Sequence, residues 1–256
     1  MSVIDKYTLK PALAETFGGI IWKIEIDGNS PIVAIESRNV AERQSFYSAF
    51  NYATGQTLFK EITVENSWFW SIDRVHDGIV FLHSYVHESQ PEHKGIIALD
   101  STGEVKWQSF NVTLYDISTE GIIVYNPKIQ PRTLEMRAFE DGAPIPYKTG
   151  NYQPVARNIT LPNIVEKPDH LQNLLPDTLT GPVFYTQFKN KDIVAFHSKA
   201  GNFYRQQLVV YQDGKVVLED ILARDIQKLN PEAFFIEREQ LFYIRNNKQE
   251  FVSYLV

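Results

Sequence analysis

The chain has 256 residues, 43% of them hydrophobic and 13% aromatic, and a net charge of −6. It is long enough for one large all-β domain or two small ones, and without a single Cys it can form no disulfide, thiolate metal site or cysteine nucleophile. Its 25 basic residues are scattered, without the Lys/Arg runs that mark a nucleic-acid binder, so no nucleic-acid partner is expected.

From the N-terminus, residues 3–9 read as a short strand. Neither the apolar core of a secretion signal nor a run of ~20 apolar residues is found, so a cytoplasmic protein without a membrane span is expected. Strands at 20–26, 31–37, 46–52 and 56–62 follow, joined by short links that include Asp27-Gly28 and Thr54-Gly55. The same grammar restarts with 68–73 and 78–86, a polar loop over 87–93, and the stretch GIIALDSTGEVKWQ at 95–108. That stretch reads as two antiparallel strands, because Gly103 supplies the positive φ that tight hairpin turns demand.

A third group covers 112–117, 121–125, 133–139 and 143–147, and a fourth 182–187, 192–197, 203–211 and 215–219. A fifth has three strands, 233–237, 240–244 and 251–255. First strands begin near 20, 67, 112, 182 and 233, and most steps match the ~40–50 residues of a propeller blade. The long step holds residues 149–180, interrupted by Pro154, Pro162, Pro168 and Pro176, with one or two helical turns expected at 169–175. They read as an irregular insertion between the third and fourth blades. A helix is expected over 218–229, with Glu219, Asp220 and Asp225 near its start and Pro231 stopping it.

The expected fold is therefore all-β: one domain, a five-bladed β-propeller of four-stranded antiparallel meanders. The strand at 3–9 would complete the last blade, since an unpaired edge invites aggregation. A sandwich or an open barrel also gives strands at regular spacing.

Ile97-Ala98-Leu99-Asp100, Thr102-Gly103 and Trp107 resemble the repeat of quinoprotein-type (PQQ-repeat-type) β-propellers, in which an Ala-Leu-Asp strand, a Thr-Gly turn and a Trp strand form the outer half of each blade. The other groups carry degenerate copies, with Phe59, Pro146, Leu218 and Phe251 at the Trp107 position and Tyr52, Phe139 and Tyr211 at the Asp100 position. Quinoprotein dehydrogenases are much longer, are exported and place a Cys-Cys pair beside the quinone. With no Cys here, the resemblance implies a scaffold without cofactor. The whole chain also resembles an uncharacterised stand-alone bacterial family of about this length.

Three constellations could carry chemistry. His76, His83, His87 and His93 fall within eighteen residues, but a metal needs imidazoles that converge. On one continuous strand His83 and His87 share a face yet lie ~13 Å apart, so no metal site is expected. Glu25, Asp73, Asp116 and Glu237 lie on the first strands, which line the channel of a propeller. Asp73 and Asp116 are candidate catalytic residues, because glycosidases need two carboxyl groups about 5–9.5 Å apart. The same acids could equally face solvent or pair with Arg74 and Arg238. Trp68 and Trp70 would share one strand face and either stack on a ligand or fill the layer between blades. Trp70, Arg74 and Glu237 are the candidate ligand-binding residues.

No nucleophile elbow, phosphate loop or zinc-protease motif occurs. The expected function is a non-catalytic binding or interaction scaffold for a protein or a small-molecule or glycan ligand. A glycan-acting hydrolase with carboxylates in the channel is the alternative, and a structural subunit of a larger complex a third reading.

Overall fold

The computed structural model describes residues 9–87, 92–147 and 152–256. Strand β1 (Pro11–Thr16) comes first, and β2 (Ile20–Ile26), β3 (Ile32–Asn39), β4 (Gln44–Asn51) and β5 (Gln56–Ile62) form sheet I. Sheet II holds β6 (Trp70–His76), β7 (Ile79–Tyr85), β8 (His93–Leu99) and β9 (Val105–Ser109). Sheet III holds β10 (Thr113–Ile117), β11 (Ile122–Tyr125), β12 (Leu134–Arg137) and β13 (Pro144–Ile145). After β14 (Ile159–Thr160), sheet IV runs through β15 (Asn163–Val165), β16 (Leu179–Phe188), β17 (Lys191–Ala200), β18 (Phe203–Gln212) and β19 (Lys215–Ile226). Strands β20 (Phe235–Glu237), β21 (Gln240–Arg245) and β22 (Glu250–Leu255) form sheet V with β1 and β14, in the order β1-β22-β21-β20-β14. Every pairing is antiparallel. Among the described residues no helix is long and apolar enough to cross a membrane.

The chain divides into two compact units, Phe17–Arg157 with sheets I to III, and Met1–Thr16 plus Asn158–Val256 with sheets IV and V. In the first unit the sheets are stacked face to face. Strand β7 alternates: Val80 and Leu82 enter the core shared with sheet I, while Ile79 and Phe81 enter the core shared with sheet III. Strand β8 does the same with Ile97 and Leu99 against Ile96 and Ala98. A strand covered on both faces has no polar side, which is why these segments are continuous apolar runs rather than alternating ones. In the second unit, β17 divides Ile193 and Ala195 from Val194 and Phe196 in the same manner. The first pair joins the core with sheet V, and the second is covered by Leu171 and Leu175.

The hairpin at 95–108 forms as its composition requires. Asp100 Oδ1 accepts the Thr102 amide at 2.8 Å, the Thr102 hydroxyl at 2.7 Å and the Glu104 amide at 3.1 Å, and Gly103 takes φ +88°. These donors hold the Asp100 carboxyl below the usual range; the Thr102 hydroxyl is the leading cause. Trp107 packs in the core between sheets II and III and its Nε1 donates to the Phe139 carbonyl at 2.8 Å. Gly142, in the sheet III turn, has φ +68°, and a Cβ there would lie 2.8 Å from the Trp107 ring. Gly142→Ala should therefore cost at least the ~1–3 kcal/mol of a non-glycine residue in the left-handed region. Gly214→Ala, at φ +72° with open space around it, carries the backbone cost alone. Urea titration should find the Gly142 variant the more destabilised, and equal losses would contradict the contact.

Three local expectations fail. Residues 218–229 are not helical: Lys215–Ile226 is the twelve-residue strand β19. Leu218 and Leu222, both buried, are four apart, a spacing that aligns side chains on a helix face and also on a strand face. Three register shifts against β18 further blur its alternation. Second, Ser67–Phe69 is a single 3₁₀ turn, so Trp68 lies ahead of the strand that begins at Trp70 and the two do not share a strand face. Third, residues 149–180 are not all irregular, since Ile159–Thr160 and Asn163–Val165 add edge strands to sheets V and IV. A 3₁₀ turn at Asp169–Leu171 stands where one or two helical turns were expected. Of the expected strand 3–9, all but Leu9 lies outside the described residues. The segment that pairs with β22 is Pro11–Thr16, with Pro11 at its first position, where a missing N–H costs the ladder nothing.

His197, on β17, is buried and accepts the Asn230 amide on Nε2 at 3.1 Å. Burial holds its pKa below the ordinary histidine value, and a protonated ring could not accept that bond. Above the unfolded-state pKa of about 6.5 both states are neutral and the contribution is complete. As pH falls below it, the unfolded chain binds a proton that the fold resists, and stability drops until the folded pKa is passed. Melting temperature should fall more steeply from pH 7 to pH 5 in the wild type than in His197→Gln; equal slopes would contradict this.

Candidate functional site

Sheets I, II and III each bulge in their first strand. The register shifts between Ile21 and Lys23, between Ile72 and Arg74 and between Leu114 and Asp116. The extra residues are Trp22, Asp73 and Tyr115. A bulge re-aims the side chain it carries. In sheets I and III that residue is an exposed aromatic, 55% and 46% accessible; in sheet II it is a carboxylate only 7% accessible.

Asp73 meets two histidines. His83 lies on β7 and His93 opens β8, diagonal neighbours across a hairpin. The pairing shifts between His83 and Ser84, where Gly95, at φ +87°, is the extra residue on β8. The His83 and His93 ring centroids are 4.3 Å apart. His83 Nδ1 lies 3.1 Å from Asp73 Oδ2, but neither atom has a hydrogen-bond partner of adequate geometry, and neither does His83 Nε2. Burial alone would raise the Asp73 carboxyl; the His83 ring beside it, then Arg74 and Lys23, outweigh burial and hold it below the usual range. One ligand atom from each of Asp73, His83 and His93 lies within 4.8 Å of the others.

The other expected residues are distributed around this cluster or away from it. Arg74 Nη1 lies 3.3 Å from Asp73 Oδ1 and donates to the Asp73 carbonyl at 2.8 Å. Asp116 accepts the Tyr152 hydroxyl at 3.0 Å and its own strand's Ile117 amide at 2.8 Å. The Tyr152 hydroxyl is pushed up to about 12, by burial first and by Asp116 next. Trp70 is core: it packs with Tyr47, Ile72 and Leu82, edge-on to Phe110 at 6.2 Å. Glu25 lies 3.2 Å from Arg157 and 3.7 Å from Lys23. Burial pushes its carboxyl up against the pull of Arg157, Lys23 and Arg74, and the Asp73 charge adds to the rise. Glu237, in the second unit, is buried, 3.8 Å from Arg238, and also raised, by burial.

Reasoning along one strand missed His93, because it compared His83 with His87. His93 stands opposite Tyr85, two residues along β7 from His83, so the pairing of β7 with β8 brings the two rings together. The second unit has its own polar feature, a cleft of about 890 Å³ lined by residues that include Arg205, Asp220, Arg224, Arg245 and Glu250. There Arg245 pairs with Asp220 and Glu250, and the Tyr243 hydroxyl donates to Asp220 at 2.7 Å.

A family model described as a domain of unknown function, DUF4905, matches residues 26–107, a stretch that contains Asp73, His83 and His93. No curated protein matches the chain. Among solved structures, nine chains match. One is the β-propeller domain of the Trilobed protease from Pyrococcus furiosus, 12% identical with a TM-score of 0.31. That match covers 92% of this chain and 65% of the other. By its own geometry this is an all-β chain of stacked antiparallel meanders.

Proposed function

We propose that the chain is a single-domain, five-bladed β-propeller with sheets I to V as blades and β1 closing the last. We assign it the role of a non-catalytic binding scaffold in the cytoplasm, with a polar small molecule, a glycan or a protein as partner and no nucleic acid. The quinoprotein-type repeat would then serve as architecture without a quinone. Blade stacking is supported by the shared cores, in which successive meanders bury opposite faces of the same strands.

The scaffold role is supported by one observation: each first-strand carboxylate has a basic or hydroxyl side chain no farther than 3.8 Å from one of its oxygens. Glu25 has Arg157, Asp73 has Arg74, Asp116 has Tyr152 and Glu237 has Arg238. Arg74 in the first unit and Glu237 in the second are the assigned ligand contacts, each offering charge and hydrogen bonds to a polar ligand.

One observation favours the hydrolase reading. Glu25 is raised and Asp73 lowered, and carboxylates whose pKa values are pushed apart are what acid–base chemistry uses. Screening oligosaccharides by thermal shift and by reducing-end release separates the two. The scaffold reading expects stabilisation without product. Product formed by the wild type and lost in both Asp73→Asn and Asp116→Asn would replace it with the hydrolase.

A further inference from the structure

We propose that Asp73, His83 and His93 form a binding site for one divalent transition-metal ion of the zinc type. The inference depends neither on ring closure nor on a ligand in the channel, because all three residues lie in sheet II.

The first argument is convergence. Three ligand atoms from three adjacent strands fall within 4.8 Å of one another. A tetrahedral ion with bonds of about 2.0–2.1 Å holds its ligand atoms roughly 3.3 Å apart, and Asp73 Oδ2 and His83 Nδ1 are already at 3.1 Å. His93, opening the next strand, supplies the third donor within the same 4.8 Å.

The second argument is independent. His83 is 6% exposed, and both of its ring nitrogens are buried without a hydrogen-bond partner; Asp73 Oδ2 is in the same condition. Buried polar atoms are nearly always partnered, and leaving them bare costs free energy. Two of these atoms, Asp73 Oδ2 and His83 Nδ1, lie 3.1 Å apart and are accounted for together by an ion that takes one lone pair from each.

The division of labour on Asp73 agrees with this. Oδ1 faces Arg74 at 3.3 Å, whereas Oδ2 faces the histidines. The guanidinium therefore orients the carboxylate from outside the ligand set, as outer-shell partners do. The third ligand's backbone is also fixed: the Thr113 hydroxyl donates to the His93 carbonyl at 3.0 Å, and the Gly95 amide donates to the Val112 carbonyl at 2.8 Å. Two bulges supply the aim, at Asp73 on β6 and at Gly95 on β8.

Two imidazoles and one carboxylate suit zinc and its neighbours in the first row rather than calcium or magnesium, which prefer all-oxygen shells. Three protein ligands leave a fourth position for water or for a ligand atom.

The test uses the untagged full chain, freed of metal by a chelator and titrated with Zn²⁺ in a calorimeter. The wild type should bind one Zn²⁺ per chain. His170→Ala, which removes an exposed histidine of the other unit, should bind equally well. His93→Ala and the volume-conserving His83→Gln should each lose more affinity than the roughly 10–100-fold that an outer-shell change costs. Because His93 is only partly buried, its variant keeps the test valid if His83→Gln fails to fold. Absence of one-to-one binding by the wild type, or wild-type affinity in His93→Ala, would overturn the proposal.

Discussion

Trp107→Ala should destabilise the unit of sheets I to III by about 3–5 kcal/mol, the range for truncating a large aromatic in a core. The indole lies in the layer between sheets II and III, 6.0 Å from the Phe81 ring centroid, and donates to the Phe139 carbonyl. Ala removes the ring and leaves that carbonyl without its donor. The cavity cannot collapse easily, because stiff strands bound it on both sides. Trp107→Phe keeps most of the packing and should cost about 1–2 kcal/mol, near the value of one hydrogen bond plus a small void. Urea unfolding followed by circular dichroism measures both. A loss below 1 kcal/mol for the Ala variant would mean that Trp107 does not join the two sheets.

Glu36→Ala should cost a similar amount, about 3–5 kcal/mol, by a different cause. Glu36 is fully buried on β3 and accepts three bonds: Arg38 Nε at 2.6 Å, Ser71 Oγ at 2.6 Å and the Ile72 amide at 3.0 Å. One carboxylate thus joins sheet I to sheet II. Its removal strands the Arg38 guanidinium, which is 8% exposed and lies over the Trp22 ring at 4.5 Å and the Trp68 ring at 5.2 Å. It also deprives two donors of sheet II. Replacing both charges, as Glu36→Leu with Arg38→Met, should recover much of the loss, since hydrophobic replacements of buried pairs are often neutral. The loss in Glu36→Ala should change little between low and high salt, because a buried pair is poorly screened. A double variant as unstable as Glu36→Ala would show that the packing, not the unpaired charge, sets the cost.

The strands of this chain are legible because their causes are local. Runs at 20–26 and 56–62 match β2 and β5 residue for residue, and the Asp100-to-Trp107 hairpin follows from turn chemistry. Pairing across strands is another matter. Along the chain Glu36 is a polar residue near the end of the apolar run 31–37, and its partner Arg38 stands two residues on, where a strand returns to the same face. Ser71 and Ile72, from another sheet, could not be found that way.

The candidate site failed to show for the same reason. Its geometry depends on bulges at Asp73 and Gly95, and each bulge shifts the register by one residue. Counting His83 against His87 along one strand measures the wrong distance. The helix expected over 218–229 rests on Glu219, Asp220 and Asp225 as a start and Pro231 as a stop, signals that a strand end tolerates equally, and the pairing with β18 that makes β19 a strand is not local.

The proposed closure of the five meanders into one ring is tested most directly by small-angle X-ray scattering of the monomeric full chain. A single compact domain of 256 residues should have a radius of gyration of about 18 Å and a single-peaked distribution of interatomic distances. A radius above roughly 22 Å with a second peak or shoulder at long distance would mean two separate bodies, and it would contradict the closed propeller.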